Sequence, residues 1–240
     1  MSLLALAGIP LVPFLLAWVV PSNPAIRWVG PKATPEQVAQ ARLELGLDAP
    51  IYVRYLKYMR NFLRGEWGTS IRSHQPVLRD IATYLPATLE LLIWGMVIAV
   101  IFGIPLGVVS AAKANGPIDH VIRVLSIAGV AVPTFWLAML LQLVFFKYLR
   151  LLPLGGRIDT ITMVVSPVRE ITGFYLFDAL ITGNFTAFKS SVMHIILPAL
   201  TLSAYPLGLA VRMTRAAMLE VLNEDYIRTA RACGLGEVRV

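Results

Sequence analysis

The chain is poor in the features that define most soluble enzymes. It holds one cysteine, Cys233, in 240 residues, which excludes an internal disulfide framework and any multi-cysteine metal site. Charged residues make up 15% of it, well below the roughly 25% of a soluble globular domain. Its three histidines, His74, His120 and His194, are scattered. Neither an H-E-x-x-H zinc motif nor a G-x-x-x-x-G-K-S/T phosphate loop is present. The paired acids that an intramembrane enzyme would place within its apolar stretches are missing too. No catalytic, cofactor-binding or metal-binding group is therefore expected.

What is abundant is apolar length. Hydrophobic residues reach 57%, with a mean hydropathy of +0.71, and they come in runs too long for a packed water-soluble core. Crossing a bilayer takes about 20 mostly apolar residues, folded as a helix so that each backbone group is satisfied within its own segment. Four stretches qualify: residues 3–20, 91–112, 124–146 and 190–211. The first is short and interrupted by Pro10 and Pro13. It lacks the basic region and small-residue cleavage site of a signal peptide, so it is read as a retained span. Residues 171–188 are moderately apolar but carry Asp178 near their middle, with Gly173, Gly183 and Asn184. A charge at that depth is costly, and the segment is read as interfacial or external.

The resulting organisation is a first span within residues 1–22, an external helical region over 23–88 and a membrane core over 89–240. Within that core, residues 147–189 form an external loop and residues 212–240 a cytoplasmic segment. The net charge of +7 arises from Lys and Arg lying between the apolar runs, which suits lipid head groups or partner proteins. No nucleic-acid-binding motif accompanies it. Long loops translocate largely regardless of charge, so the density of basic residues is the better guide to orientation. Residues 113–123 hold two and residues 212–240 hold five, against nine in 21–90 and five in 147–189. This places the amino terminus, the Lys113 loop and the carboxyl-terminal tail in the cytoplasm.

The external region is organised. Thr34-Pro35-Glu36-Gln37 reads as a helix start, with Thr34 as N-cap and Gln37 completing a capping box. That helix is expected to run to Leu45 and stop at Gly46. A second helix puts Ile51, Tyr55, Met59 and Phe62 on one face, with Arg54, Lys57, Arg60 and Arg64 mostly opposite, and ends at Gly65. It fits either a basic helix resting on the membrane surface or a scaffold packed on the span bundle. A third helix, over residues 76–85, leads to Pro86 and the second span. Polar residues within the spans (Ser110, Ser126, Thr134, Gln142, Thr201, Ser203, Tyr205) more commonly bond neighbouring helices than line a pathway.

The last thirty residues carry the most information. Arg212 and Arg215 suit a membrane interface at the end of the fourth span. Asn223, followed by Glu224 and Asp225, reads as a fresh helix N-terminus, and Gly234 as its stop. The short helix between them is small on one side and basic on the other. It fits an interfacial helix beside the bilayer, or a docking element that lets another protein approach closely.

The run from Met213 to Leu235 resembles the cytoplasmic loop of binding-protein-dependent ABC importer permeases, most of all their dipeptide/oligopeptide branch. Gly30–Glu36, Leu43–Asp48, Gly65–Ser70, Leu85–Glu90, Val132–Trp136 and His194–Leu200 are similar to that branch in the same order. The resemblance implies an all-α polytopic membrane protein with the type I ABC importer transmembrane fold, incomplete at its C-terminus because the family continues for two more spans. It also implies that Asp225, Tyr226, Arg228, Thr229, Ala230, Arg231, Ala232 and Gly234 form a coupling helix seated on a cytoplasmic ATPase subunit. Two such ATPase subunits, a second homologous permease subunit and an extracytoplasmic substrate-binding protein are the implied partners. Arg228-Thr229-Ala230 stands where the wider family has Glu-Ala-Ala, and Cys233 where a lysine is commoner. Di- and oligopeptides are the implied substrates, with nickel and oligosaccharides carried by similar permeases. A non-transporting membrane scaffold or receptor is the reading from another class.

Overall fold

The computed structural model describes residues 11–12, 14–15, 24–30, 32–44, 46–70, 72–234 and 236. The span expected over 3–20 lies outside them except for residues 11, 12, 14 and 15, which are helical. Residue 45, the expected end of the first external helix, also lies outside. The chain divides into two compact units, residues 1–83 and 84–240.

In the first unit α1 (Pro24–Val29) precedes α2 (Pro35–Glu44). The capping box is present in both directions: the Gln37 amide donates to Thr34 Oγ1 at 3.3 Å, and the Thr34 amide donates to Gln37 Oε1 at 3.0 Å. Gly46 follows at φ +63, in the left-handed region that glycine enters without penalty. In α3 (Ile51–Leu63), Tyr55, Met59 and Phe62 are half-buried while Ile51 is exposed. Arg54 lies on the basic face. It is half-buried, and its Nη1 donates to the Leu47 carbonyl at 3.2 Å. The turn before α3 brings that carbonyl within reach of the guanidinium. Phe62 stacks on Trp67 at 5.1 Å, and the Trp67 indole donates to the Phe62 carbonyl.

The helix expected over residues 76–85 is not separate. It is the start of α4, which runs unbroken from Val77 to Ala112 with Pro86 and Pro105 inside it. At 1.5 Å per residue this is roughly 54 Å long, more than a bilayer needs. Proline is tolerated in such helices because neighbours and local adjustments satisfy the freed carbonyls.

The third span corrects the expectation more sharply. Residues 124–146 do not form one helix: α5 (Pro117–Ala131) and α6 (Thr134–Gln142, continuing as a π-helical turn through Tyr148) meet at 108°. Pro133 explains the break, since proline disfavours helical backbone in the residue before it. Val132 is accordingly extended, at φ −74 and ψ 127. After α7 (Thr160–Val165) and α8 (Tyr175–Ile181) comes α9 (Phe185–Leu222), then α10 (Asp225–Ala232). Among the described residues α4 and α9 are each long and apolar enough to cross a membrane, and the bent α5–α6 pair is a third candidate.

Helix α9 is the hub of the second unit, and small residues let its neighbours reach it. On α4 the buried positions Gly95, Ala99, Gly103, Gly107 and Ala111 fall at every fourth residue, which puts them on one stripe. A Cβ added at Gly103 would lie 2.9 Å from the Ala210 Cβ, and one at Gly107 would lie 2.6 Å from the Thr214 Cβ. Helix α5 approaches as closely, since a Cβ at Gly208 would fall 2.5 Å from the Ser126 carbonyl oxygen. Large side chains point outward instead: Leu92, Met96, Ile101 and Phe102 are all exposed. Lipid tails are as apolar as leucine, so close backbone approach, not burial of large side chains, holds such helices together.

Candidate functional site

The last turns of α9 are anchored by a buried charge. Arg215 forks onto Asp119, with Nε to Oδ1 at 2.7 Å and Nη2 to Oδ2 at 2.9 Å. Asp119 has no exposed surface. It also accepts from the Ser110 hydroxyl at 2.5 Å and from the Asn115 amide at 3.0 Å, while Arg123 Nε stands 3.8 Å away. One carboxylate thus ties together the end of α4, the turn after it, the start of α5 and the end of α9. Planar two-point pairing is what arginine provides and lysine cannot. The expectation had Arg215 merely at the interface. The missed signal was Asp119 itself, the only acid between Glu90 and Asp159, which beside an apolar run requires a counter-ion.

Helix α10 follows α9 after a two-residue turn. Asn223 is not its N-cap. It ends α9, its Nδ2 donating to the Leu219 carbonyl at 2.7 Å, and Glu224 takes the cap position with extended backbone and no side-chain cap bond. Asparagine is used here as a C-terminal residue because its amide hydrogen satisfies one of the carbonyls a helix end leaves open.

Within α10, Ile227 is buried and Ala230 half-buried. Asp225, Tyr226, Arg228, Thr229, Arg231 and Ala232 are exposed. Arg228 reaches back to Asp225 at 3.3 Å and the Thr229 hydroxyl donates to the Asp225 carbonyl. Gly234 lies just beyond, at φ +80 with nothing within 4 Å of an added Cβ. Seven of the eight candidate residues are therefore exposed, Ala230 is half-buried, and Ile227 is the buried side chain of the helix.

A second ion pair, between buried Glu90 and half-buried Arg157, lies twenty residues before Ser110 on α4. Glu90 takes Arg157 Nη2 at 2.8 Å and the Leu176 amide at 2.7 Å. The same Arg157 nitrogen donates to the Gly173 carbonyl, and the guanidinium lies 3.6 Å over the Tyr175 ring. Asp178, expected to make residues 171–188 external, sits buried on α8. It accepts from the amides of Ile171, Thr172 and Gly173 and from the Thr172 hydroxyl. Of the polar residues in the spans, Ser126, Thr201 and Ser203 bond carbonyls of their own helices.

From Glu90 to Ser110 is twenty residues, about 30 Å of helix, which equals the hydrocarbon thickness of a bilayer. A glycine-packed apolar bundle with an ion pair toward each side, and a short exposed helix beyond one of them, defines a polytopic membrane protein. The chain belongs to the family of binding-protein-dependent transport system inner membrane components, whose family model matches residues 103–240; the model of the N-terminal part of such components matches residues 1–92. Its fold is accordingly that of the transmembrane domain of type I ABC importers.

Among similar proteins, a probable D,D-dipeptide transport system permease protein of Escherichia coli strain K12 is 43% identical over 232 residues, 97% of this chain and 67% of its own length. The dipeptide transport system permease protein of Alkalihalophilus pseudofirmus is 40% identical, over 97% of this chain and 68% of its own. An oligopeptide transport system permease protein of Bacillus subtilis strain 168 is 36% identical, over 100% of this chain and 69% of its own.

Proposed function

We propose that this chain is the transmembrane permease subunit of an ATP-driven, binding-protein-dependent importer of di- and oligopeptides. Its relatives named for dipeptide and oligopeptide transport support the substrate class. The observation that carries the mechanism is the open face of α10, joined by a short turn to a span whose end is clamped by Arg215 and Asp119.

In this reading Asp225, Tyr226, Arg228, Thr229, Ala230, Arg231, Ala232 and Gly234 meet a cleft in a cytoplasmic ATPase subunit. Closure of two such subunits on ATP moves α10, and the clamp passes that movement to α4, α5 and α9. The permease then exchanges inward- and outward-facing states, each favoured by a different nucleotide state of the partner. ATP hydrolysis belongs to those partners. A second, homologous permease subunit completes the pathway, and an extracytoplasmic binding protein delivers the solute. The amino terminus, residues 113–116 and α10 face the cytoplasm, and residues 23–88 and 147–189 the opposite side.

The test is co-purification of the ATPase with the full-length permease carrying Ala232→Arg. Ala232 is exposed and helical, so the substitution adds bulk without straining the backbone, which a side chain at Gly234 would do. Loss of the ATPase from an otherwise well-assembled Ala232→Arg sample supports α10 as the contact. Undiminished binding moves the contact elsewhere, and absence of any ATPase from the wild type favours a scaffold.

A further inference from the structure

A cavity of about 270 Å³ lies at the Glu90 end of the α4–α9 bundle, its lining including Glu90, Arg157, Ser191 and His194. The docking role proposed for α10 uses none of them, and Arg157, Ser191 and His194 retain bonding capacity. Ser191 is 3% exposed and its hydroxyl has no partner among the described residues. Buried hydroxyls are nearly always paired, so an unpaired one calls for an explanation. Among the described residues Arg157 bonds through Nη2 alone, to Glu90 and the Gly173 carbonyl, which leaves the N–H groups of Nε and Nη1. His194 Nδ1 stands 2.7 Å from the Ser190 carbonyl. A carbonyl only accepts, so Nδ1 carries the hydrogen and Nε2 of the neutral ring keeps a lone pair.

Glu90 already neutralises Arg157, so the cavity offers no surplus charge to a free ion. It offers the donors of Arg157 and Ser191 and an acceptor at His194 around a space slightly below the usual ligand-pocket range of about 300–1,000 Å³. A peptide group has the complementary pattern, a carbonyl that accepts and an N–H that donates. We infer that this cavity is a subsite of the permease for a single main-chain amide of a short peptide, its carbonyl taken by Arg157 and Ser191 and its N–H by His194. The inference rests on the peptide reading above and adds a place within the permease where the solute itself is recognised.

The complete transporter, reconstituted in proteoliposomes with its ATPases and binding protein, supplies the test. Uptake of alanyl-alanine is compared with uptake of its ester analogue alanyl-lactate, which keeps the carbonyl and lacks the N–H. The amide-to-ester ratio is taken in wild type and in His194→Leu with one binding protein, so that protein's own preference cancels. The expected ratio is about tenfold smaller in His194→Leu, because a site built to bond an N–H discriminates against its absence. Ser191→Ala is expected to raise KM for both solutes by about three- to tenfold, since they share the carbonyl. An unchanged ratio in an active His194→Leu transporter, or an unchanged KM in Ser191→Ala, overturns the subsite. Should His194→Leu fail to assemble, the Ser191→Ala KM decides alone. A wild-type transporter that moves neither solute overturns the peptide reading instead.

Discussion

At Asp119 the Arg215 fork, the Ser110 hydroxyl and the Asn115 amide together satisfy a carboxylate with no exposed surface. Removing one partner of a buried pair leaves the other charge uncompensated, whereas replacing both by apolar groups is often tolerated. Arg215→Met and Asp119→Leu are therefore each expected to lower the melting temperature of the detergent-solubilised permease. The double variant should recover most of that loss. If the two losses simply add, the pair is not coupled. Asp178 poses the same problem outside the spans. Burial works to raise its pKa, but the Thr172 hydroxyl and the amides of Ile171, Thr172 and Gly173 outweigh it and hold the carboxyl below its usual value of 3.8. A depressed folded-state pKa means this contribution to stability is complete above the usual value and is lost as pH falls through the lowered one. Melting of the wild type should drop more steeply than that of Asp178→Asn below about pH 4; parallel slopes would show that the carboxylate is not the cause.

Among the elements, the seam between α4 and α9 is set by what is missing from its side chains. Gly107 faces the Thr214 Cβ at 2.6 Å from where its own Cβ would be, and the Val211 carbonyl oxygen at 2.9 Å. Gly107→Val is expected to cost about 1–3 kcal/mol through forced separation of the helices. Gly155→Val, at a position with nothing within 4 Å, serves as the comparison and should leave melting nearly unchanged. Equal effects would remove the close-packing account. The four-residue spacing of Gly95, Ala99, Gly103 and Gly107 is legible in the sequence, and it was missed because a hydropathy reading counts these positions only as apolar. The break at Val132 was legible as well: Pro133 stands in plain view within a run whose length alone argued for one straight helix. The capping box of Thr34 and Gln37 emerged as expected because such a motif depends on four consecutive residues and nothing else.

For the whole molecule, length and composition placed the chain in the membrane. A run such as residues 91–109, without a single charged group, has no comparable option in water. The same local reasoning put helix boundaries near Gly46, Gly65 and Gly234, where backbone φ is positive. Tertiary structure decided the rest. Arg215 meets Asp119 from 96 positions away and Leu176 meets Glu90 from 86, and no periodicity within either segment encodes such a partner. The cavity lined by Arg157, Ser191 and His194 likewise gathers residues from different elements. Hydropathy and capping are properties of neighbouring residues and survive in a one-dimensional reading. A counter-ion for a buried charge is chosen by which helices the packing of small residues brings together, and that choice exists only once the chain is folded.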